Sequence, residues 1–308
     1  MVKNGLIVLL FCVFIEAHSF ITFDESMMVH NVNPSQLPLT KQLIPRAREL
    51  YNRYNPYTIA PKKQPVIPKI IHHVWLGKPL SQEDKELRKT WFAFHPDYQF
   101  ILWTDRIEND NDAWVVNSLD QLYDALYVRH EQRIVIDVAA IPFDNRSFYD
   151  EAINYGEKSD ILKYEIVYQL GGMYVDCDFE CLKSFNDLFD RYDFFTGVQP
   201  FDTNFEQLGA ALFGAKPQHP ILHHAISTIK NDHHYVPIVV RTGPIHFTRS
   251  FIAIAGLCNN VDIAFPATFF YPCGYNQRGQ DRHVWLQSES YAVHHWAGSW
   301  LGQDAFVR

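Results

Sequence analysis

Three clusters of side chains in this sequence have the types and spacing to do chemistry. Asp176-Cys177-Asp178 places two carboxylates one residue apart, directly after the apolar run Met173-Tyr174-Val175. Two unpaired carboxylates at the end of a buried strand are electrostatically costly, and a divalent cation removes that cost. Hard cations such as Mg²⁺ and Mn²⁺ prefer carboxylate oxygen, and Mg²⁺ commonly takes one or two protein carboxylates together with substrate phosphates. The pattern therefore suits a diphosphate-linked substrate. Asp160 and Lys163 stand three apart on a helical stretch and share a face, although a surface ion pair or a dipole-complementing Asp accounts for them equally well. The segment Tyr291-Ala292-Val293-His294-His295-Trp296-Ala297-Gly298-Ser299-Trp300 gathers imidazoles, a hydroxyl and two indoles. An imidazole there could complete a metal site, and the Ser299 hydroxyl and Trp300 N–H could donate to phosphate oxygens. An aromatic core strand is the competing reading, and it suits Trp296.

Asp110-Asn111-Asp112 has the same spacing as the first pair but lies in a polar stretch from Glu108 to Asp112, where turn chemistry explains it. What separates Asp176 and Asp178 is the element that delivers them. A helix capped by Ser159, with Leu162, Ile166 and Leu170 recurring at i+4, ends at Gly171-Gly172, where a left-handed cap is expected. The strand Met173–Val175 follows and sets the carboxylates at its carboxyl end, where ligands bind in open α/β sheets. Upstream, Ile70 to Leu76 is a continuous apolar and aromatic run closed by Gly77, as in a strand buried on both faces. A helix from Ser81 to Phe92 and a second strand from Tyr98 to Trp103 complete a strand, helix, strand unit. These alternations predict an α/β fold with a largely parallel sheet.

Residues 1–19 differ from the rest. Lys3 precedes the apolar run Leu6 to Ile15, and Ala17-His18-Ser19 has the small residues of a cleavage site. The stretch reads as a signal peptide cut after Ser19, with a short membrane anchor as the alternative and exposure to the secretory pathway as the consequence. Ten apolar residues fall short of the ~20 needed to cross a hydrocarbon core. Residues 20–66 are polar and punctuated by proline, and read as an N-terminal arm with a short helix near Lys41 to Tyr54. Residues 67–308 form a single catalytic domain in this reading.

The 308 residues, 47% hydrophobic and 20% charged, exclude disorder as the main state. With 27 Lys+Arg against 35 Asp+Glu, the net charge of −8 excludes a global basic surface for nucleic acid. Beyond the apolar run that holds Cys12, four cysteines remain, Cys177, Cys181, Cys258 and Cys273, enough for two disulfides or four free thiols. No CxxC pair is present, and the repeated His-His pairs lack regular ligand spacing, so structural zinc has little support. Asn145-Arg146-Ser147 fits the N-glycosylation sequon.

Taken together, Ile67 to Gly77, Ser159 to Tyr164, Gly171 to Asp178, Thr242-Gly243-Pro244 and the final His-Trp-Ala-Gly-Ser-Trp resemble the DXD-containing sugar-binding region of family 32 glycosyltransferases. Relatives of this kind include initiating α-mannosyltransferases, capsular polysaccharide transferases and, more distantly, clostridial glucosylating toxins. The resemblance implies a GT-A, Rossmann-like fold with a mostly parallel sheet flanked by helices. It also implies a nucleotide-sugar donor, Mn²⁺ or Mg²⁺, and a retaining hexosyl transfer to a glycan acceptor, with membrane proximity possible through the N-terminal segment. Carried over by position, Trp75 would stack on the nucleobase, Asp160 would hold sugar hydroxyls and Lys163 would contact sugar or phosphate. Asp176 would contact ribose and assist the metal, Asp178 and His295 would ligate it, and Ser299 with Trp300 would grip the diphosphate. Lys163 departs from the common Arg, keeping the charge but losing the bidentate fork. UDP-sugar and GDP-mannose both stay open as donors. A toxin-like transferase acting on protein, and an inactive exported carbohydrate-binding protein on the same scaffold, are the competing readings.

Overall fold

The computed structural model describes residues 21–28, 38–107, 113–200, 207–230 and 236–298. The described residues carry ten strands: β1 (Ile70–Trp75), β2 (Gln99–Thr104), β3 (Trp114–Val116), β4 (Arg133–Asp137), β5 (Gly172–Val175), β6 (Phe179–Cys181), β7 (Phe194–Val198), β8 (Leu208–Ala215), β9 (Asp262–Phe265) and β10 (Ala292–His294). Eight form one sheet in the order β3-β4-β2-β1-β5-β8-β7-β9, and β10 pairs with β6 in a separate ribbon. β1 runs parallel to β2 and β5, β4 to β2 and β3, and β7 to β9. β8 alone runs against its neighbours β5 and β7. The result is the expected α/β class: a mostly parallel sheet flanked by helices.

β1 is buried along nearly its whole length, as its apolar run requires. Its two imidazoles belong to the core. His72 Nε2 donates to Gly171 O at 2.8 Å while its Nδ1 accepts the Trp103 indole N–H at 3.2 Å, and burial lowers its pKa to about 4. His73 Nδ1 donates to Val175 O at 2.9 Å and ties β1 to β5. The next helix runs Gln82–Phe94 with Ser81 as its cap in a capping box closed by Asp84.

The helix before β5 begins earlier than expected. It spans Tyr155–Leu170, and its cap is Asn154, whose side chain accepts the Gly156 and Glu157 N–H groups. Ser159 therefore lies inside the helix, because Asn154 satisfies the first-turn donors one turn sooner. The helix ends where the glycines stand: Gly171 has φ +68° and Gly172 has φ +95°. A Cβ on Gly172 would lie 2.5 Å from Ile70 O, so strand β5 can approach β1 only with glycine there.

In the N-terminal arm a short helix, Phe23–Met28, precedes a longer one, Pro38–Arg53, which starts before the expected Lys41. Leu43, Ala47, Leu50 and Tyr51 are buried in the same core as the sheet, and Tyr51 meets the Phe265 and Phe269 rings edge-on. Residues 1–19 lie outside the described residues, and no helix among the described residues is long and apolar enough to cross a membrane. Cys177, Cys181 and Cys273 are buried, Cys258 is exposed, and all four are free thiols. The sequon asparagine is buried, and its Nδ2 donates to Glu165 Oε1 at 3.0 Å and to Ile226 O at 3.1 Å. That amide is committed to the interior, which overturns the sequon as a glycan site of the folded protein.

Candidate active site

The parallel strands end on one side of the sheet, and a cleft of about 380 Å³ opens there. Trp75 at the end of β1, Asp160 and Lys163 from the helix Tyr155–Leu170, Asp176 and Asp178 beyond β5, and His294 at the end of β10 all line it. Sheet order brings Trp75 beside Asp176, and the β10–β6 pairing brings His294 to them from the far end of the chain.

Asp176 leaves β5 with its backbone N–H donated to Ala211 O at 2.8 Å and its Oδ1 accepting the Tyr174 hydroxyl at 2.5 Å. Burial raises its pKa to about 6. Lys163 opposes that rise, and the neighbouring Asp178 adds to it. Asp178 moves the other way. Burial pushes its carboxyl up, but His294 and the Ala297 amide outweigh that and hold it below the usual carboxylate range. Its Oδ2 accepts the Ala297 N–H at 2.9 Å and stands 3.3 Å from His294 Nε2. The carboxylate oxygens of Asp176 and Asp178 and a ring nitrogen of His294 lie within 4.8 Å of one another, a spacing one cation could bridge. His294 Nδ1 is buried without a hydrogen-bond partner among the described residues. Between the carboxylates, Cys177 is buried and its thiol is pushed well up, so it stays protonated and is a poor ligand.

The histidine that lines the cleft beside Asp178 is His294, whereas the family resemblance pointed to His295. In a strand, successive side chains face opposite sides. β10 pairs with β6 so that His294 lies opposite Phe179, stacked on its ring at 4.6 Å and turned toward Asp178. His295 faces away and meets Glu180 Oε2 at 3.1 Å. Its backbone N–H still donates to Asp178 O at 3.0 Å.

Lys163 is buried and reaches Asp160 Oδ1 at 2.5 Å, so the pair forms part of the cleft. Thr242 Oγ1 donates to Asp160 Oδ2 at 3.4 Å, and the Tyr164 hydroxyl donates to Thr242 O at 2.8 Å. Gly243 is tightly enclosed: a Cβ there would sit 2.8 Å from Val239 Cα and 3.3 Å from Asp160 Oδ2. Thr242-Gly243-Pro244 therefore braces the Asp160 carboxylate from behind. Arg241 adds a bidentate bond to Glu157 one turn earlier, at 2.8 and 2.6 Å.

Trp75 is half-buried, with its indole N–H donated to Lys78 O at 2.7 Å and the Lys78 ammonium 5.5 Å from its ring centre. Tyr155 lies against Gly77 so closely that a Cβ on that glycine would be 2.3 Å from its ring. Ser299, Trp300 and the stretch Glu108 to Asp112 lie outside the described residues. The cleft also takes Asp84, Tyr155, Gln199, Gln207, Tyr275 and Trp296, none of which carries a spacing signal that sequence reasoning could use.

Part of the chain resembles a known family and several known proteins. Residues 81–195 match the family model for a glycosyltransferase sugar-binding region containing a DXD motif. The mannosyl phosphorylinositol ceramide synthase of Saccharomyces cerevisiae is 27% identical over 191 residues, 60% of this chain and 42% of that one. Inositol phosphoceramide mannosyltransferase 2 of Schizosaccharomyces pombe is 25% identical over 191 residues, 59% of this chain and 45% of its own. The match thus spans less than half the length of either relative. Among solved structures, the PaToxG glycosyltransferase aligns over 69% of this chain and 79% of its own at 19% identity and a TM-score of 0.45. The galactosyltransferase LgtC aligns over 77% and 92% at 14% identity and a TM-score of 0.43. Residues 81–195 thus match a glycosyltransferase sugar-binding region containing a DXD motif, and the chain is similar over about 190 residues to two yeast mannosyltransferases.

Proposed function

We propose that this protein transfers a hexose from a nucleotide-sugar donor to a hydroxyl acceptor, with retention of anomeric configuration and with Mn²⁺ or Mg²⁺ bound. The observation that carries the reading is the convergence of Asp176, Asp178 and His294 within 4.8 Å, in the cleft that also holds Trp75 and the Asp160–Lys163 pair. The donor set suits a divalent cation: two carboxylates, and an imidazole whose Nε2 stands 3.3 Å from Asp178 Oδ2. A cation held there would supply positive charge to a departing diphosphate. The relatives' names favour mannose, hence GDP-mannose, and an acceptor bearing a phosphoinositol head.

The residues then divide the work. Trp75 offers a ring face to the base. Asp160 accepts hydrogen bonds from sugar hydroxyls, held in place by Thr242 and Lys163. Lys163, Ser299 and the Trp300 indole donate to phosphate oxygens as negative charge develops on them. The bond from the anomeric carbon to the diphosphate breaks while the acceptor oxygen bonds to that carbon from the same side, and the acceptor proton passes to the leaving phosphate oxygen. Residues 1–19 would place this activity in the secretory pathway.

The test is a titration of the purified protein with a panel of nucleotide sugars, with Mn²⁺ and with chelator, following thermal stability and slow donor hydrolysis. Metal-dependent stabilisation and hydrolysis of GDP-mannose is the expected result. No response to any donor from folded protein would overturn it in favour of an inactive carbohydrate-binding protein. Transfer to protein but not to inositol lipid would favour the toxin-like reading.

A further inference from the structure

Sheet order lays the cleft out as a sequence of positions. β1, which delivers Trp75, is followed by β5 with Asp176, then by β8 and β7. Neighbouring strands are about 4.8 Å apart, so the β7 end lies roughly 14 Å across the sheet from Trp75. A donor whose base stacks on Trp75 and whose diphosphate meets Asp176 and Asp178 has its sugar beyond β5. The next wall is the β7–β8 hairpin.

That wall is apolar except at one point. Ala210 and Ala211 line the cleft from β8, and Gln199 and Gln207 line it from the two arms of the hairpin. Gln199 N–H donates to Gln207 O at 2.9 Å, and Gln207 Nε2 donates to Gln199 Oε1 at 2.9 Å. Both side chains are more than nine-tenths buried. This leaves Gln207 Oε1 without a hydrogen-bond partner among the described residues. Buried amide oxygens are nearly always satisfied, and an oxygen unpaired among the described residues in a cleft wall is open to a donor from water or from a bound ligand.

We propose that the Gln199–Gln207 amide pair is the acceptor subsite, and that it binds a hydroxyl of a polyhydroxylated acceptor, a sugar or inositol ring, presented to the anomeric carbon from the β7–β8 side. The Gln207 oxygen accepts from that hydroxyl. Gln199 fixes the amide by holding its other end. The inference rests on the transferase reading above and deepens it by naming the acceptor's chemical class and its reader.

The experiment uses myo-inositol and α-methyl mannoside as probe acceptors, with GDP-mannose and Mn²⁺, on the full chain and on Gln207→Met and Gln199→Met. Methionine keeps the length of the side chain and removes the amide. Wild-type turnover should saturate with at least one probe. The acceptor KM should rise at least about ten-fold in Gln207→Met, a loss suited to a single hydrogen bond to a polar substrate group. The KM for GDP-mannose should move far less, and Gln199→Met should show the same split more weakly. Equal changes in the donor and acceptor KM, an acceptor KM that does not move, or no saturation by either probe would overturn the subsite. Loss of donor hydrolysis in the wild type would overturn the transfer reading, and this proposal with it. Acceptor-free hydrolysis in each variant reports that its fold and donor site have survived.

Discussion

At the scale of single residues, the site is a contest between burial and pairing. Asp176 has its pKa raised from 3.8 to about 6, so the folded state binds its proton more tightly than the unfolded chain does. Stability from this group is present at low pH and is lost as pH rises from 3.8 through 6. In metal-free protein at pH 7.5, Asp176→Asn should therefore stabilise the fold by about 2 kcal/mol, and the gain should fade toward pH 4. Urea denaturation in chelator at both pH values checks this; an equal effect at both would refute it. The same substitution, and Asp178→Ala, should lower kcat/KM for transfer at least about 10²-fold without unfolding the protein. Normal turnover by either variant would remove both carboxylates from the chemistry. His294→Ala should weaken Mn²⁺ binding at least about ten-fold, while His295→Ala, which loses a half-buried contact to Glu180, should leave it nearly unchanged. Calorimetric Mn²⁺ titration separates the two. The carboxylates Asp176 and Asp178 are legible in the sequence because an apolar strand delivers them, whereas the spacing of Asp160 and Lys163 fits a surface pair equally and only the family resemblance singled them out. The choice between two adjacent histidines is not legible either, since the phase of β10 comes from its pairing with β6.

At the scale of elements, the junctions hold the strongest constraints. Gly172→Ala forces a side chain into φ +95° with its Cβ 2.5 Å from Ile70 O, and should cost about 3 kcal/mol in urea denaturation. A loss below 1 kcal/mol would show that β5 can shift away from β1. His95, at the end of the helix Gln82–Phe94, donates from Nδ1 to Trp91 O at 3.0 Å and accepts the Phe185 N–H at Nε2 at 2.9 Å. That arrangement needs the neutral ring, and burial lowers its pKa to about 4. For a histidine so depressed, stability is complete above pH 6.5 and falls as pH drops toward 4, because the unfolded chain takes up the proton first. His72 follows the same rule. His95→Gln, which can still donate and accept, should flatten the slope of stability between pH 6.5 and 4; an unchanged slope would mean that His95 does not titrate there. Element types are readable from periodicity, but starts are less so, because Ser159 and Asn154 are both competent caps and only packing decides between them.

At the scale of the whole molecule, the family-matched stretch of residues 81–195 supplies Asp160, Lys163, Asp176 and Asp178 but neither Trp75 nor His294. It also lacks β1, β8 and β9, which flank β5 and β7 in the sheet. A fragment of residues 81–195 should therefore show no cooperative thermal transition by circular dichroism and no donor-induced stabilisation. Cooperative melting of that fragment would show that β2 to β5 fold without β1, β8 and β9 beside them. The strand order itself is not legible in sequence, since the antiparallel insertion of β8 between β5 and β7 depends on pairings remote in the chain. That insertion has a consequence for descent. The β7–β8 hairpin lines the cleft through Gln199, Gln207, Ala210 and Ala211, apart from the carboxylates and Trp75, so on the proposed reading mutations in it would change the acceptor while leaving the donor residues untouched. A gene lineage could in this way acquire new targets by drift in one hairpin.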